Sequence, residues 1–403
     1  MKIQKVTDTI EKLVKNKKHN GSMLVSTENE IFYKKYFGYA DIHKKTPVSS
    51  KTQFLAGSVT KQFTAVAILK ALFDKNKDIK AELDKPIEYF LPTGCEIWDG
   101  TLPDWASKVT IHQLLVHSSG IMNYNTLPEF ENQKFSKKSE IINFFKSHKL
   151  EFNPGEKFSY SNSGYFLLGI IIEEIVQKSL DIYLEETFFE PLEMKSTFLP
   201  MHGTVNELIH NDARFLNLSR GYQYDVIGHN SNLEEIKRYE PMDIPGAGGS
   251  LISTADDLLK WNNALYNKKI IPQSLLRLML HPHLVTERSD TFYGYGIEII
   301  NSNTLGTYYF HRGGIPGYRS ILTYIPLLNL SIITLQNVVA DLERILPEIK
   351  QVQASLPPNL SSEESAKQLN EIFDAKYPDI VENRNQYEFS SVYEVIIKVL
   401  EDI

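Results

Sequence analysis

The sequence predicts an α+β fold: one antiparallel sheet built from both ends of the chain and flanked by helices, with a mostly helical segment inserted between its halves. Three observations predict it. Near the start, Gly21–Thr27 and Glu30–Ala40 alternate side chains with the period of two that strands require, and the turn Glu28-Asn29 joins them. Past residue 290 that period returns in Tyr295–Ile300, Tyr308–Phe310, Ile321–Ile325 and Leu330–Leu335. Residues 60–190 carry helical spacing and loops instead. Strands gathered at two ends around a run of helices fit this class better than alternating βαβ units.

Each element has a local cause. In residues 1–20, Val6, Ile10, Leu13 and Val14 lie at amphipathic helical spacing among lysines. That stretch lacks the compact apolar core of a signal peptide, so the chain as written reads as cytoplasmic, with other export routes left open. After Gly57, the residues Phe63, Val66, Ala67 and Lys70-Ala71 follow the 3.6 period, which puts Ser58 at a helix N-terminus. Pro154-Gly155 marks a turn, and the polar run behind it reads as a loop entering a helix at Leu167 and Leu168. Gly246-Ala247-Gly248-Gly249 lets backbone pass tightly before a capping pair, Thr254 and Asp257. His311-Arg312-Gly313-Gly314 lies between strand patterns and, standing alone, reads as a hairpin turn. Leu356-Pro357-Pro358 starts a linker, with Ser362 and Ser365 opening a helix over Ala366–Phe373. Val392, Val395, Ile396, Val399 and Leu400 then form an apolar helical stripe, which packs on the body, the commoner outcome, or on a partner.

At about 150 residues per domain, 403 residues suggest two or three units. The longest apolar run, Tyr165–Ile172, stops at Glu173-Glu174, far short of the ~20 residues that span a membrane. Ten acidic and four basic residues leave −6 between Ser361 and Ile403, against −7 for the whole chain, so the body is near neutral. No basic patch recommends nucleic acid, and the acidic tail could present itself to a protein partner. The single cysteine, Cys95, excludes an internal disulfide and reads as a structural thiol. His112 and His117 are spaced five apart and His281-Pro282-His283 lacks further ligands nearby, so neither a metal nor a cofactor is expected.

The chemistry starts at Ser58-Val59-Thr60-Lys61, the one S-x-x-K in the chain. A serine hydroxyl needs an adjacent base to become a nucleophile, and three-residue spacing puts an amine on the same helical face. At a helix start, free N–H groups and the helix dipole favour developing negative charge. Tyr160-Ser161-Asn162 sets a phenol beside a carboxamide, a proton relay with a two-way hydrogen-bonding group. In His311-Arg312-Gly313-Gly314, glycines within a strand pattern suggest close approach by backbone or ligand. By themselves the latter two motifs read as an N-cap cluster and a turn.

Together and in this order, the three motifs resemble the serine β-lactamase and penicillin-binding protein superfamily, whose related set is S-x-x-K, S-D-N and K-T-G. More narrowly the chain is similar to the class C β-lactamase, DD-carboxypeptidase and esterase branch, where Y-x-N is matched by Tyr160 and Asn162, and H-x-G by His311 and Gly313. The likeness includes Val109–Ile121, Gly246–Leu258 and Tyr293-Gly294-Tyr295-Gly296, and runs from about residue 20 to about residue 345. It implies a β-lactamase/transpeptidase-like fold with a sheet domain (1–80 plus 245–350), an inserted helical domain (81–244) and a cleft between them. The acidic helical extension is then 351–403. It also implies two-step acyl transfer on a small-molecule or peptide substrate: Ser58 attacks, Lys61 takes its proton, and Tyr160 shares the proton network and activates the hydrolytic water. Asn162 and His311 would contact substrate, with Gly313 and Gly314 beside them and the N–H groups of Ser58 and Gly314 forming an oxyanion hole.

Arg312 departs from the family pattern, which often has a small or hydroxyl residue that helps bind a substrate carboxylate. Neighbouring strand residues point to opposite faces, so His311 and Arg312 are not expected to fill one pocket, although Arg312 could itself reach a carboxylate. β-Lactam, D-peptide and ester carbonyls all remain candidates. The alternative function is a penicillin-binding or sensing protein with little turnover.

Overall fold

The computed structural model of the protein describes residues 2–15, 17–127, 135, 137–224, 233–236, 246–267, 269–288, 290–340, 355–357, 368, 371–372, 375 and 390–401. Its centre is an eight-stranded antiparallel sheet. Across the sheet the strands run Ile31–Phe37, Gly21–Thr27, Leu330–Gln336, Tyr318–Ile325, Gly306–Ile315, Glu298–Ser302, Thr291–Tyr293 and Leu284–Val285. The two ends of the sequence meet between its second and third strands, where Gly21 pairs with Gln336 and Thr27 with Leu330. The chain is thus α+β, a sheet from both ends with helices between, as expected.

Alternation along the strands sorts side chains into two cores. On the front face, Leu24, Leu322, Ile333 and Leu335 join a large core with the helices Thr60–Lys75 and Ala255–Tyr266. On the back face, Met23, Val25, Phe310, Ile321 and Ile332 join Val6, Ile10 and Val14 of the helix Lys2–Val14 and Val392, Ile396 and Leu400 of the helix Ser390–Glu401. The apolar stripe near the C-terminus therefore docks on the body. The linker beyond Pro357 and, apart from isolated positions, the helix expected over Ala366–Phe373 lie outside the described residues. Ile396→Ala, which empties a fully buried site on this face, is expected to cost about 2–4 kcal/mol, read as a lowered urea midpoint.

Three of the departures from the expected strand boundaries fall at a glycine. Glu30–Ala40 breaks at Gly38, whose φ of +62° turns the chain so that Tyr39–Asp41 pairs with Thr46–Pro47 in a separate small sheet. Tyr295–Ile300 starts later, at Glu298, because Gly296 has a φ of +66° and passes against the Lys61 carbonyl. His311–Gly314 is no turn but the inner half of the strand Gly306–Ile315, and the chain reverses at Pro316-Gly317, where Gly317 has a φ of +78°.

The segment between the strands supplies the helices Ile111–Leu115 and Asn162–Val176, each held by a side-chain cap. Thr110 and Gln113 form a reciprocal capping box on the first, and Ser161 Oγ accepts from Gly164 N on the second. Thr254 caps the helix Ala255–Tyr266 through Asp257 N, as its spacing predicts. Cys95 is a free, half-buried thiol.

Candidate active site

The site forms where the start of the helix Thr60–Lys75 meets the strand Gly306–Ile315. A 3₁₀ turn, Gly57–Val59, precedes that helix, so Ser58 stands at its N-terminal end, where N–H groups lack intrahelical partners. Gly57 has a φ of +52°, and a Cβ there would lie 2.7 Å from Gly314 N, so only glycine lets the two segments close up. The turn is pinned from several sides: Ser320 Oγ donates to the Ala56 carbonyl at 2.6 Å, Ala56 N donates to Leu251 O at 2.7 Å, and Thr60 Oγ1 donates to Gly57 O at 2.6 Å.

Lys61 follows one turn on and is fully buried. Its Nζ donates to Asn162 Oδ1 and to Gly248 O, both at 2.7 Å, and lies 3.3 Å from Ser58 Oγ. Burial drives its pKa well below the ordinary lysine value, because a buried ammonium forfeits its hydration. The faces of Tyr160 and Tyr165, 4.8 and 5.4 Å away, oppose that shift by favouring the cation.

Tyr160 and Asn162 leave the second motif on either side of the cap Ser161. Burial raises the Tyr160 pKa, and the neighbouring Ser58 side chain pulls it back in part. Asn162 is the first residue of its helix, and its own N–H donates to Asn123 Oδ1 at 3.2 Å. Ser58, Tyr160 and Asn162 are half-buried and Gly314 is exposed, so the cluster is open to solvent above a buried amine.

The third motif lies beside them in the strand. Gly313 faces the nucleophile turn so closely that a Cβ would fall 1.9 Å from Ala56 O. His311 points to the same front face but is only 2% exposed, and both ring nitrogens are engaged within the protein: Nε2 with Tyr293 Oη at 2.9 Å, Nδ1 with Arg312 O at 2.7 Å. Burial pushes its pKa down to about 3. Arg312 is on the opposite face, with its guanidinium 4.8 Å from the Phe310 ring and 3.7 Å from Glu298 Oε2, among residues of the back core. It does not reach the cleft, as strand alternation predicts.

All seven residues singled out in the sequence thus converge: Ser58, Lys61, Tyr160, Asn162, His311, Gly313 and Gly314. Sequence reasoning missed four further participants. The Gly248 carbonyl is a backbone group that no side-chain pattern reveals. Tyr165, Tyr293 and His117 sit in stretches that carried the family likeness, but burial beside the site, not residue type, gives them their contacts. Among the described residues, no group of three or more His, Cys, Asp or Glu side chains is arranged to hold a metal, and no helix is long and apolar enough to cross a membrane.

The chain is 28% identical over 312 residues to Penicillin-binding protein 4* of Bacillus subtilis (strain 168), a match covering 75% of this chain but only 64% of that protein, just under two thirds of its length. It superposes on the octameric penicillin-binding protein homologue from Pyrococcus abyssi with a TM-score of 0.66 and 27% identity, covering 84% of this chain and 74% of the other. It shares a fold with D-amino acid amidase from Ochrobactrum anthropi SV3 at a TM-score of 0.68 and 23% identity, over 92% and 99% of the two chains. The profile of the Beta-lactamase family matches residues 6–352, and with a β-lactamase/transpeptidase-like fold beneath that match, the chain belongs to this family.

Proposed function

We propose that the protein is a serine hydrolase that forms an acyl-enzyme on Ser58 and acts on esters or amides lacking a carboxylate beside the scissile carbonyl. The observation that carries this reading is the setting of Lys61. In the neutral amine, the two N–H bonds are taken by Asn162 Oδ1 and Gly248 O, which leaves the nitrogen lone pair for the Ser58 hydroxyl proton. Ser58 Oγ then bonds to the carbonyl carbon as its proton passes to Lys61. The N–H groups of Ser58 and Gly314 receive the oxyanion, a donor pair of which each member is worth ~3 kcal/mol. Tyr160, a phenol at neutral pH, gives its proton to the departing alcohol or amine and recovers one from Lys61. Water enters by the reverse route, with Tyr160 activating it, and frees the acid. Asn162 orients both Lys61 and the acyl group.

The substrate restriction follows from charge. A carboxylate needs a cation or free donors, and within the third motif His311 is neutral and fully engaged and Arg312 stands behind the sheet. Adding a carboxylate next to the scissile group is expected to lower kcat/KM at least tenfold, about 1.4 kcal/mol. The test pairs matched uncharged and carboxylated p-nitrophenyl esters and amino-acid amides with a fluorescent penicillin, each followed by turnover and intact mass. Release of product with a transient Ser58 adduct, absent in Ser58→Ala, is expected. A lasting penicilloyl adduct without ester or amide turnover would replace this reading with a penicillin-sensing one. Acylation should also speed up as pH rises through the lowered Lys61 pKa, since only the neutral amine is a base.

A further inference from the structure

Behind the reacting groups runs a hydrogen-bonded chain that nothing in the proposed reaction uses. Ser161 N lies 3.1 Å from His117 Nδ1, His117 Nε2 lies 3.2 Å from Tyr293 Oη, Tyr293 Oη lies 2.9 Å from His311 Nε2, and His311 Nδ1 lies 2.7 Å from Arg312 O. Its two ends fix every proton along it. A backbone N–H only donates, so His117 Nδ1 is an acceptor and the proton sits on Nε2, which donates to Tyr293 Oη. The phenol has one proton and gives it to His311 Nε2. The His311 proton is therefore on Nδ1, where a carbonyl that only accepts receives it. With both rings kept neutral by burial, one arrangement satisfies all four contacts, and moving any proton breaks at least one of them.

The chain also spans the site. Ser161 belongs to the motif that carries Tyr160 and Asn162, and His117 follows the helix Ile111–Leu115, both in the helical region. Tyr293 and His311 lie on neighbouring parts of the sheet, the latter beside Gly313 and Gly314. His117, Tyr293 and His311 are each at most 2% exposed, so water does not compete for these contacts. His117 holds a φ of +58°, sparsely populated for a residue with a Cβ, and its ring packs 4.3 Å from that of Tyr160. Strain of this kind persists where surroundings over-determine a position.

We propose that His117 and Tyr293 are positioning residues, a one-way strut that holds the Tyr160–Asn162 motif at a fixed distance from the Gly313–Gly314 strand and locks His311 as a neutral acceptor for Tyr293. This rests on the acyl-transfer reading of Ser58. It makes His311 part of the scaffold rather than a group that meets substrate.

The test uses the full chain with ¹⁵N-labelled histidine, whose ring nitrogen shifts distinguish the two neutral tautomers, with signals assigned through His112→Gln, His281→Gln and His283→Gln. At neutral pH, one histidine held in the Nδ1–H form and one in the Nε2–H form should respond to Tyr293→Phe, whereas His210, whose Nδ1 lies 2.6 Å from Asn206 O, and His283, whose Nε2 lies 2.9 Å from Leu278 O, hold their tautomers without responding. That variant removes the bridging hydroxyl and should lower kcat about 10- to 100-fold with KM within about twofold, the pattern of a site whose supporting contacts are loosened. A wild-type spectrum lacking a locked Nδ1–H histidine overturns the strut, as does Tyr293→Phe with unchanged kcat. If Tyr293→Phe does not fold, the wild-type tautomers alone decide. If the wild type hydrolyses no ester or amide, the proposed function fails while the tautomers still report on the strut.

Discussion

Lys61→Met should slow Ser58 acylation by about 10²–10⁴-fold while leaving a folded protein. Methionine fills nearly the same volume and keeps the apolar stem packed, so the loss is one of proton transfer rather than shape. The hydroxyl of Ser58 keeps its place at the helix start and loses the amine that lies 3.3 Å from it. Single-turnover acylation by an activated ester, followed by intact mass, measures the effect, and acylation within threefold of wild type would remove Lys61 from the role of base. Stability gives a second readout with the opposite sense. Between the lowered folded-state pKa of Lys61 and its unfolded value near 10.4, the unfolded chain binds a proton that the folded chain does not. Stability must then rise with pH across that window, and the lysine weighs against folding below it. In Lys61→Met this slope disappears, so the wild type should gain on the variant as pH climbs toward 10. Chemical denaturation at several pH values checks it, and parallel profiles would mean that the amine is charged in the folded state.

Gly313→Ala is expected to destabilise the protein by roughly 3 kcal/mol or more and to abolish acylation together with it. The added methyl would fall 1.9 Å from Ala56 O and 2.2 Å from Ser320 Oγ. The serine hydroxyl could rotate away, but the carbonyl is backbone, fixed by the sheet on one side and the nucleophile turn on the other. Relief requires the turn Gly57–Val59 to move off the strand, and that movement carries Ser58 N away from Gly314 N. Gly306→Ala is the contrast, since nothing stands within 4 Å of a Cβ there and only the strain of its positive φ, +67°, is felt. Thermal unfolding and acylation rates for the pair check this, and a Gly313→Ala protein of wild-type activity would refute the tight approach.

Most of the site was legible because its chemistry resides in side chains whose order along the chain carries the signal. S-x-x-K, Y-x-N and H-x-G each named the residues that the fold brings together, and the helical period placed the first of them at a helix start, whereas the third by itself reads as a turn and lies within the strand Gly306–Ile315. What escaped is of two kinds. Backbone groups such as the Gly248 carbonyl have no residue type of their own, so their role depends on where the chain passes. The His117–Tyr293–His311 contacts depend on three segments meeting face to face behind the cleft, and composition cannot report such a meeting. The strand ends were misplaced at Gly38 and Gly296 because an apolar pattern continues through a glycine that the backbone uses to turn. Arg312 went the other way: alternation alone separated it from His311, and the fold agrees.

Pairing Gly21–Thr27 with Leu330–Gln336 has a consequence for how the molecule comes into being. These neighbours are separated by more than three hundred positions, so a ribosome must release nearly the entire polypeptide before this seam of the sheet can zip shut. Until then the first hairpin, Gly21–Thr27 with Ile31–Phe37, leaves the backbone edge of Gly21–Thr27 bare and offers it, with an oily underside, to other nascent chains. Such remote closure is slow, which marks this protein as one whose yield should depend on cool growth and chaperone supply more than on the final stability of the product.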